Sequence, residues 1–452
     1  MPVKLWIIAR PVYGGRNAFA PLLSAIEDNL SVDYRVTIVE GDPLPVAKRA
    51  SEAGYKPVVL YGVSSPSYLD LREEIVRVAS RFHVIAGGPH AEGAYWHLLR
   101  DGAWAVVVGD GEEAITPLLE AAALGDPPSG APNTAYMDDD GFHVTRQVYA
   151  CLDDYKPHNT THGLYPPIEI MRGCHYKCKY CQVPWLFKAK VRYRSIARVE
   201  EAVRHYVAAG KRRIRFIAPI GFAYGSIVPG KPDPSMIHGL LEAVREAGGT
   251  PFLGSFPSET RPEYVTPEVL EVVRELAGNR KISLGLQSGS NRLLERVGRG
   301  HTVEEALEAV DLVLEYGFTP VVDILFSLPC EEEEDVEETV KVMEELARRG
   351  ARLRLHTFIP LPGTPFARSK PKPVHKLYRK TVLQLLGRGV LEGYWEWQEE
   401  IAPAVYCLTA LDPAPTPTPK PLPSAQEYCR NHLKEEYYKT ASLHLSRDTQ
   451  RQ

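Results

Sequence analysis

The sequence contains few cysteines for its length. Seven cysteines are spread over 452 residues, and none precedes Cys151. Small secreted domains that depend on disulfides carry a much higher proportion, so the count excludes a disulfide scaffold. The positions of the cysteines are therefore more informative than their number.

The chain also lacks a strong charge of either sign. Its 53 Lys and Arg residues against 57 Asp and Glu residues give a net charge of −4, and the isoelectric point is about 6.4. The chain therefore has no overall excess of positive charge that would indicate a nucleic-acid partner. We interpret two local basic runs, residues 188–192 and 211–213, as solvated surface, with contact to nucleic acid as the alternative.

Long hydrophobic runs are absent as well. No apolar run approaches the length of a membrane span. Residues 1–8 are too short and wrongly flanked for a signal peptide. We predict that they contain a first β-strand. Hydrophobic residues make up 44% and charged residues 24% of the chain, an ordinary balance for a globular protein. A chain of this length predicts two or three domains.

Three of the cysteines lie close together. Cys174, Cys178 and Cys181 follow the spacing C-x3-C-x2-C, directly after the short apolar run 168–171. Three thiolates on one loop can hold a metal centre, and they are one ligand short of closing a tetrahedral zinc site or a [4Fe–4S] cluster. Two alternatives are a zinc knuckle completed by His175 and three buried structural cysteines with no metal.

This motif, with the aromatic Tyr180 before the third cysteine, resembles the signature of the radical S-adenosylmethionine (SAM) superfamily. The resemblance implies that Cys174, Cys178 and Cys181 hold a [4Fe–4S] cluster whose fourth iron binds SAM. Reductive cleavage of SAM would then give a 5′-deoxyadenosyl radical. It also implies an electron donor such as ferredoxin or flavodoxin and, for an oxygen-sensitive cluster, a reducing compartment, which we expect to be the cytoplasm. The remaining cysteines are expected to be dispensable for the cluster: Cys151, Cys330, Cys407 and Cys429.

The first part of the chain, residues 1–125, alternates short apolar runs with helical patterns. This alternation predicts an open, doubly wound, Rossmann-like parallel sheet, which binds ligands at the carboxyl ends of its strands. We predict strands at 5–9, 34–39, 57–63, 83–86 and 105–108, and helices at 19–29 and 68–81.

Three of these strand ends, at 62–65, 87–90 and 109–113, are rich in glycine or serine. In this order they resemble the cobalamin-binding domain that precedes many radical SAM domains. The alternative is a flavodoxin-like domain that only packs against the catalytic one. The resemblance implies cobalamin contacts from these residues: Ser64, Ser65, Gly87, Gly88, His90, Gly109 and Gly111.

The loop after the first strand departs from many cobalamin domains. Residues 10–17 contain no histidine to ligate cobalt from below, and cobalamin-dependent radical SAM enzymes often lack that ligand. His83 begins a strand and His97 lies in a helical run, so only His90 follows a strand end. We expect His90 to contact the cobalamin tail or to cap the next helix rather than to bind cobalt.

Residues 126–165 contain Pro, Gly and Asp clusters that predict a linker with a small hairpin. From 166 to 370, six strand–helix units predict a partial (β/α)6 barrel with its chemistry on the loops after the strands. We predict strands at 168–171, 214–218, 251–255, 282–287, 319–326 and 353–358, and helices at 198–209, 236–247, 267–276, 303–316, 335–349 and 374–386. Residues 371–452 predict a small C-terminal extension, in which the proline-rich run 413–423 forms an extended spacer.

Segments after several barrel strands resemble SAM-binding regions of the superfamily. Residues 283–302 resemble the fourth-strand region of tRNA methylthiotransferases, coproporphyrinogen oxidases and cobalamin-dependent members. This implies that Gln287 and Ser288 face the SAM ribose or methionine and that Arg296 or Arg299 reaches its carboxylate. The alternative is a strand end followed by a helix N-cap at Ser290. With cavity residues after the second and third strands, the implied SAM contacts are Tyr180, Gly221, Ser255, Glu259, Gln287, Ser288, Arg296 and Arg299.

Two positions depart from the pattern of the relatives. The second-strand segment 216–221 lacks the glutamate of Gly-Gly-Glu, so backbone carbonyls would bind the SAM amino group. Cys330 stands where relatives often have glycine. We interpret Cys330 as a buried small residue, with a reactive thiol near the cavity as the alternative.

The combined resemblance implies a class B, cobalamin-dependent radical SAM methyltransferase that acts on an unactivated carbon of a small molecule or peptide. A cobalamin-dependent rearrangement or ring-forming enzyme is one alternative. A tRNA methylthiotransferase is another, but it needs three further N-terminal cysteines, and residues 1–150 contain none. A non-enzymatic cobalamin sensor is the last alternative.

Overall fold

The computed structural model describes residues 3–12, 15–188, 190–412 and 423–432. Most of the expected proline-rich spacer and the tail after residue 432 lie outside this description. The chain forms two compact units. The first comprises residues 3–164, Pro360–Arg368 and the described residues from Pro403 onward, and the second comprises Tyr165–Ile359 and Ser369–Ala402.

The first unit is built on a seven-stranded sheet. Its strands are β1 (Leu5–Arg10), β2 (Tyr34–Ile38), β3 (Lys56–Gly62), β4 (His83–Gly87), β5 (Ala105–Val107), β6 (Thr134–Asp138) and β7 (Gly141–Val144). They lie in the order β2-β1-β3-β4-β5-β6-β7, and the first five are parallel. The order 2-1-3-4-5 is that of flavodoxin-like sheets, whose ligand crevice lies where the order reverses, between β1 and β3.

Helices cover both faces of this sheet, because the central strands are apolar on both sides. They are α1 (Phe19–Asn29), α2 (Leu44–Glu52), α3 (Ser65–Ala79), α4 (Pro89–Gly93), α5 (Tyr95–Arg100) and α6 (Gly111–Leu124). Ile7, Val58 and Ile85 of the central strands are at most 3% exposed. The doubly wound sheet expected from the sequence is therefore confirmed.

The hairpin expected in the linker is β6–β7, and it extends the sheet. β6 pairs antiparallel with β5, with Ala135 opposite Val106. Asn133 fastens the hairpin, because its side chain donates to the carbonyls of Asp110 and Val148 at 3.0 and 2.8 Å. Residues 126–164 therefore belong to the first unit and are not a separate linker.

A buried ion pair stabilises the first unit. Arg72 of α3 donates from Nε and Nη2 to the Asp101 carboxylate at 3.0–3.1 Å. The Tyr68 hydroxyl donates to the same carboxylate at 2.5 Å. The Arg72 and Asp101 side chains are only 1% and 2% exposed, respectively. The pair therefore links α3 to the turn after α5. Because both side chains are buried, leaving either charge unpaired would cost stability.

The second unit is a partial barrel. Its strands are β8 (Ile168–Glu169), β9 (Met171–Arg172), β10 (Arg192–Tyr193), β11 (Arg213–Ile217), β12 (Thr250–Phe252), β13 (Lys281–Gln287), β14 (Thr319–Phe326), β15 (Arg352–Thr357) and β16 (Leu391–Gly393). Parallel pairing gives the orders β12-β11-β8 and β13-β14-β15-β16. A parallel bridge between Thr260 and Leu284 joins the segment after β12 to β13.

Helices follow the parallel strands and cover the outside of the barrel. The remaining α-helices of the described residues are α7 (Val183–Leu186), α8 (Ile196–Ala208), α9 (Pro234–Glu246), α10 (Pro267–Leu276), α11 (Asn291–Arg296), α12 (Val303–Glu315), α13 (Glu333–Arg349), α14 (Lys376–Leu386), α15 (Trp395–Leu411) and α16 (Pro423–His432). Of these, α16 and the part of α15 from Pro403 onward belong to the first unit. The partial barrel expected from the sequence is therefore confirmed. Among the residues with assigned structure, none of these helices is long and apolar enough to cross a membrane.

The expected C-terminal extension does not form a domain of its own. Ser369–Ala402 belongs to the barrel unit, where β16 adds a strand beside β15. The described residues from Pro403 onward belong to the first unit, where α15 and α16 carry a disulfide between Cys407 and Cys429. The sequence analysis predicted neither β16 nor this disulfide.

The side chains of β14 and β15 alternate between the apolar core and the barrel interior. Leu353 and Leu355 are fully buried in the core beneath the helices. Arg354 and His356 therefore point to the opposite face of β15, because successive side chains alternate along a strand. Asp323 of β14 is the register partner of Arg354 and shares its face. The barrel interior is thus polar where Asp323, Arg354 and His356 lie.

We predict that Asp101→Ala lowers the free energy of unfolding by about 3–5 kcal/mol, because it leaves the buried Arg72 guanidinium unpaired. The matched control is Asp28→Ala, which removes an ion pair to Lys156 whose side chains are 43% and 52% exposed, respectively. We expect the control to cost less than about 1 kcal/mol. Urea unfolding of the apoprotein, followed by circular dichroism, measures both. Equal losses in the two variants would contradict the prediction.

Candidate cluster and SAM site

The three cysteines lie in the segment of the chain that connects β9 to β10. These two strands pair antiparallel, with Arg172 opposite Arg192, so both ends of the loop are fixed. Gly173 starts the loop with a φ of 86°. An added Cβ there would overlap the carbonyl oxygen of Lys190, so only glycine fits. The local backbone therefore dictates where the first cysteine lies.

The three cysteines of the motif are free thiols with little exposure. Cys174 and Cys178 are 9% and 5% exposed, respectively, and Cys181 is partly buried. Burial raises the pKa of Cys174, and it raises the pKa of Cys181 to about 12. Thiols in such surroundings ionise when they coordinate a metal centre. The donor set fits the three protein ligands of a [4Fe–4S] cluster.

A single zinc ion fits this loop less well. His175, the fourth ligand of the alternative zinc knuckle, is exposed. In the part of the chain that the structure describes, no three His, Cys, Asp or Glu side chains converge as the ligands of one ion would. Three cysteines of a cubane cluster bind three different irons and need not converge on one point. The exposed position of His175 therefore disfavours the zinc knuckle.

Two arginines lie beside Cys178. Nη1 of Arg299 is 3.7 Å and Nη1 of Arg261 is 3.9 Å from the Cys178 sulfur. Arg299 also donates from Nη2 to the Gly285 carbonyl, and Arg261 donates from Nη2 to the Arg299 carbonyl. A positive charge close to a sulfur favours the thiolate. The arrangement therefore suits an anionic centre at Cys178.

Arg261 was not predicted from the sequence. Its guanidinium lies 3.5 Å from the Tyr176 ring centroid, and its Nε donates to Glu263 at 2.6 Å. It also approaches His301, with 3.4 Å between Nη2 and Nδ1. Burial and the two arginines lower the pKa of His301 to about 2, so this imidazole is neutral. The only signal in the sequence was an arginine soon after the third barrel strand, which is weak.

Several buried polar atoms in this region have no hydrogen-bond partner among the described residues. They are the hydroxyl oxygen of Tyr180, Nε of Arg299, Nε2 of His301 and Oε2 of Glu263. Nearly all buried polar groups in folded proteins are paired, so a cluster of unpaired ones marks a place for a missing partner. The residues present therefore fit a polar cofactor next to Cys178.

Gln287 joins this group from the end of β13. The pairing of β13 with β14 is irregular between Gly285 and Gln287, and Gln287 has a φ of 82°. Such a left-handed conformation is unusual for a residue with a side chain and often occurs at functional sites. A Cβ added at Gly285 would lie 2.6 Å from Nη2 of Arg299 and 2.8 Å from Nε2 of Gln287. The structure thus brings Gln287 and Arg299 together, and their contact with SAM stays a prediction.

Two of the predicted SAM residues make contacts with other side chains of the barrel. The Ser288 hydroxyl is buried and contacts Oγ1 of Thr339 in α13 at 3.1 Å. The Arg296 side chain is 53% exposed and lies 3.6 Å from Glu332. Ser288 therefore fixes β13 to a helix, and Arg296 faces solvent from the last turn of α11. Their contact with SAM stays a prediction.

Three further residues predicted to contact SAM, Gly221, Ser255 and Glu259, make contacts within the protein. A Cβ at Gly221 would overlap the Ser258 carbonyl oxygen, so this glycine serves a close backbone packing. The Ser255 carbonyl accepts from the amide of Ser258 at 2.8 Å. Oε1 of Glu259 accepts from Arg354 inside the barrel at 2.8 Å. Of these three, only Glu259 presents a charged group to the interior.

The residues predicted to bind cobalamin also make contacts inside the first unit. Ser64 caps α3 through a reciprocal pair with Ser67. Oγ of Ser65 lies 3.0 Å from Nδ1 of His90, and Nε2 of His90 lies 3.3 Å from Nδ1 of His97. His90 is fully buried, and burial lowers its pKa well below the ordinary value. His90 lies inside α4 and does not cap it, contrary to one expectation, whereas its contact with the cobalamin tail stays a prediction.

Three of the predicted cobalamin glycines are explained by packing between strand ends. A Cβ at Gly88 would lie 2.7 Å from the Val63 carbonyl oxygen, one at Gly109 would lie 3.0 Å from Asn133, and one at Gly111 would lie 2.9 Å from Leu22. Gly87 differs, since a Cβ there would meet only Val107, at 3.6 Å.

Gly87 pairs in register with Gly62, so β3 and β4 end side by side without side chains. A Cβ at Gly62 would meet the Phe19 ring at 3.4 Å and the Gly15 carbonyl oxygen at 3.6 Å, so the loop after β1 packs closely on the end of β3. In the loop after β1, residues 13 and 14 lie outside the described residues.

Comparison with known proteins identifies the barrel. Residues 168–343 match the family model described as the radical SAM superfamily. The tRNA-2-methylthio-N(6)-dimethylallyladenosine synthase of Chloroflexus aurantiacus is 29% identical over 216 residues, which cover 46% of this chain and 45% of that protein. The chain spans about half the length of the curated relatives it matches.

Two solved structures share the fold more extensively. TsrM from Kitasatospora setae, a radical S-adenosylmethionine methyltransferase solved with cobalamin and a [4Fe–4S] cluster, aligns with a TM-score of 0.64 at 17% identity over 81% of this chain and 74% of its own. OxsB, a cobalamin-dependent radical enzyme solved with aqua-cobalamin and SAM, aligns with a TM-score of 0.60 at 12% identity over 96% of this chain and 72% of its own. At such identities the likeness shows the fold alone.

We predict that Cys→Ala at 174, 178 and 181 together abolishes the cluster. Anaerobic reconstitution should give about four irons per chain in the unmodified protein and none above background in the variant. The matched controls are Cys151→Ala and Cys330→Ala, which remove free cysteines outside the motif. Iron analysis and the visible thiolate-to-iron absorption measure the result. A triple variant that kept its iron would contradict the assignment.

Proposed function

Since residues 168–343 of this chain form a radical SAM domain, we propose that the protein is a cobalamin-dependent radical SAM methyltransferase that modifies an unactivated carbon. The observation that carries the radical SAM part is the group of unpaired buried atoms beside three free cysteines. The cobalamin part rests on the fold of the first unit and on its likeness to two proteins solved with cobalamin.

Each group of the site has a role in this proposal. Cys174, Cys178 and Cys181 hold the cluster, and the guanidiniums of Arg261 and Arg299 offset its negative charge. Gln287 and Arg299, which converge over Gly285, orient SAM by hydrogen bonds. When bound, the cluster supplies the electron that cleaves SAM, and cobalamin carries the methyl group. An external one-electron donor must reduce the cluster.

In the first unit, the crevice at the carboxyl ends of β1, β3 and β4 would hold cobalamin. Gly62 and Gly87 lie side by side there, so backbone rather than side chains would face the cofactor. The protein would supply no imidazole to the cobalt from His90 or His97, because both rings are buried and hydrogen-bonded. The residues present therefore fit cobalamin without a protein lower ligand.

A tRNA methylthiotransferase is a second candidate, favoured by the curated relatives. Its second cluster would need three further cysteines. Outside the motif the chain has four, and two of these, Cys407 and Cys429, form a disulfide. The two that are free, Cys151 and Cys330, are too few. We therefore favour the methyltransferase.

We predict that the reduced holoenzyme converts SAM to both 5′-deoxyadenosine and S-adenosylhomocysteine. The first product reports radical cleavage and the second reports methyl transfer to cobalt, so the second should match the bound cobalamin in amount and require it. Liquid chromatography with mass spectrometry measures both products. The matched variant Cys178→Ala should lose 5′-deoxyadenosine. Cobalamin-loaded enzyme that yields only 5′-deoxyadenosine would favour a rearrangement enzyme instead.

We also predict that the protein gives no nitrogen ligand to cobalt. The suitable probe is cobinamide, which lacks the nucleotide base of cobalamin, so any nitrogen signal must come from the protein. Electron paramagnetic resonance of its cobalt(II) form should show no nitrogen superhyperfine splitting, because both ring nitrogens of His90 are engaged. Splitting that disappears in His90→Ala would make His90 the ligand and refute the prediction.

A further inference from the structure

The seven-stranded sheet of the first unit ends in a strand that has a neighbour on one side only. β7 pairs antiparallel with β6 and, among the described residues, with no other strand. A cavity of about 400 Å³ opens beside it, lined by residues 129–132, by Tyr136 and by residues 143–146. An open strand edge is a template for pairing with another strand.

The backbone of β7 presents two residues to the open edge. The amide of Thr145, directly after β7, donates to the Thr134 carbonyl in β6 at 2.9 Å. Residues that bond to the neighbouring strand alternate along an antiparallel pair, so His143 is the next residue of β7 that bonds to β6. Phe142 and Val144 lie on either side of His143. Their amides and carbonyls therefore point away from β6, toward the open edge.

The same two residues carry apolar side chains on one face of the sheet, because they are two positions apart in the strand. Val144 is 53% exposed. The Phe142 ring is partly buried, with the Arg100 guanidinium carbon 5.4 Å from its centroid. Folded proteins usually cover or charge an edge strand that exposes apolar residues. Pairing with another strand would bury the Val144 side chain.

Charges of opposite sign lie at the two ends of β7. Asp139 and Asp140 form the turn that connects β6 to β7, and Arg146 follows β7 by two residues. All three side chains are exposed. The described part of the chain offers no ion pair to the Asp140 carboxylate or to the Arg146 guanidinium. A strand that is acidic at its start and basic at its end complements an antiparallel copy of itself.

We propose that β7 pairs antiparallel with β7 of a second copy of this chain, about a two-fold axis at His143. In this register Phe142 of each copy lies opposite Val144 of the other, so their outward amides and carbonyls bond to each other and the exposed valines are covered. Asp140 of each copy lies beside Arg146 of the other. The inference concerns assembly and does not rest on the proposed reaction.

A second copy fits this edge better than an unrelated extended peptide. Backbone, apolar and charged groups each find their complement at the position that the two-fold axis relates to them, as an isologous interface requires. The two His143 rings face each other across the axis. Nε2 of each lies 2.7 Å from Oδ1 of Asp138 in its own copy, so any positive charge on the ring is offset.

The test measures the mass of the full-length holoenzyme by sedimentation equilibrium. Loading concentrations run from about 1 to about 100 μM, since an interface of this size predicts a micromolar dissociation constant. We expect a monomer–dimer equilibrium. Val144→Pro should weaken association about tenfold or more, because it removes an outward donor and leaves the hydrogen bonds to β6 in place. The matched control Val144→Thr keeps the donor and the branched shape, and it should still dimerise.

Charge reversal tests the register. Asp140→Arg and Arg146→Glu each place like charges opposite one another, so each variant alone should associate about tenfold or more weakly than the unmodified protein. An equimolar mixture of the two variants should dimerise again, because opposite charges then face each other at both ends. Glu52→Arg, which reverses an exposed charge on α2, should leave association unchanged. Circular dichroism and iron content verify that each variant folds.

A holoenzyme that sediments as a monomer at every concentration would overturn the inference and leave the edge to a different partner. A dimer that Val144→Pro leaves intact would overturn it as well, because the copies would then meet elsewhere. A mixture of the two charge variants that stays monomeric would contradict the pairing of Asp140 with Arg146. Recovery of the dimer in the mixture supports the inference, since contacts within one copy cannot be restored by mixing.

Discussion

The contact of Arg299 with Cys178 is the interaction on which the candidate site depends. Arg299 follows α11, its guanidinium binds the Gly285 carbonyl in β13, and it reaches the sulfur of a loop that starts after β9. Arg261, from the segment after β12, in turn binds the Arg299 carbonyl. These contacts therefore connect four segments of the barrel, which are the cysteine loop, β13, the segment after β12 and the segment after α11. Both arginines are buried, and carbonyl oxygen, carboxylate and sulfur partners compensate their guanidiniums.

The local patterns of the sequence were sufficient for most of the barrel. β14 and α10 have the same bounds in the structure as in the sequence prediction, because apolar periodicity and a Pro at the helix start are local signals. β16 was missed because three residues become a strand only when β15 offers them an edge. Arg261 and the pairing of Glu259 with Arg354 were missed for the same reason, since both depend on contacts between distant segments.

The side chains that make other contacts than expected have a common physical origin. A serine at a strand end is equally suited to binding a ligand and to capping the next helix, and Ser64 does the second. Arg296 and Arg299 both follow β13, and only the turn after α11 decides that one faces solvent and the other the cysteines. His90 looked accessible because it follows two glycines, yet α4 turns it inward onto Tyr68, with ring centroids 4.3 Å apart. Motifs thus located the site, while tertiary packing selected the residues.

The loop that carries the three cysteines also depends on Gly173, a residue with no side chain. Its backbone conformation and its closeness to the Lys190 carbonyl leave no room for any other amino acid. In a population of gene variants, codon 173 would therefore tolerate only synonymous changes, as strictly as the codons of the three cysteines. A sequence comparison restricted to metal-binding side chains would overlook this position.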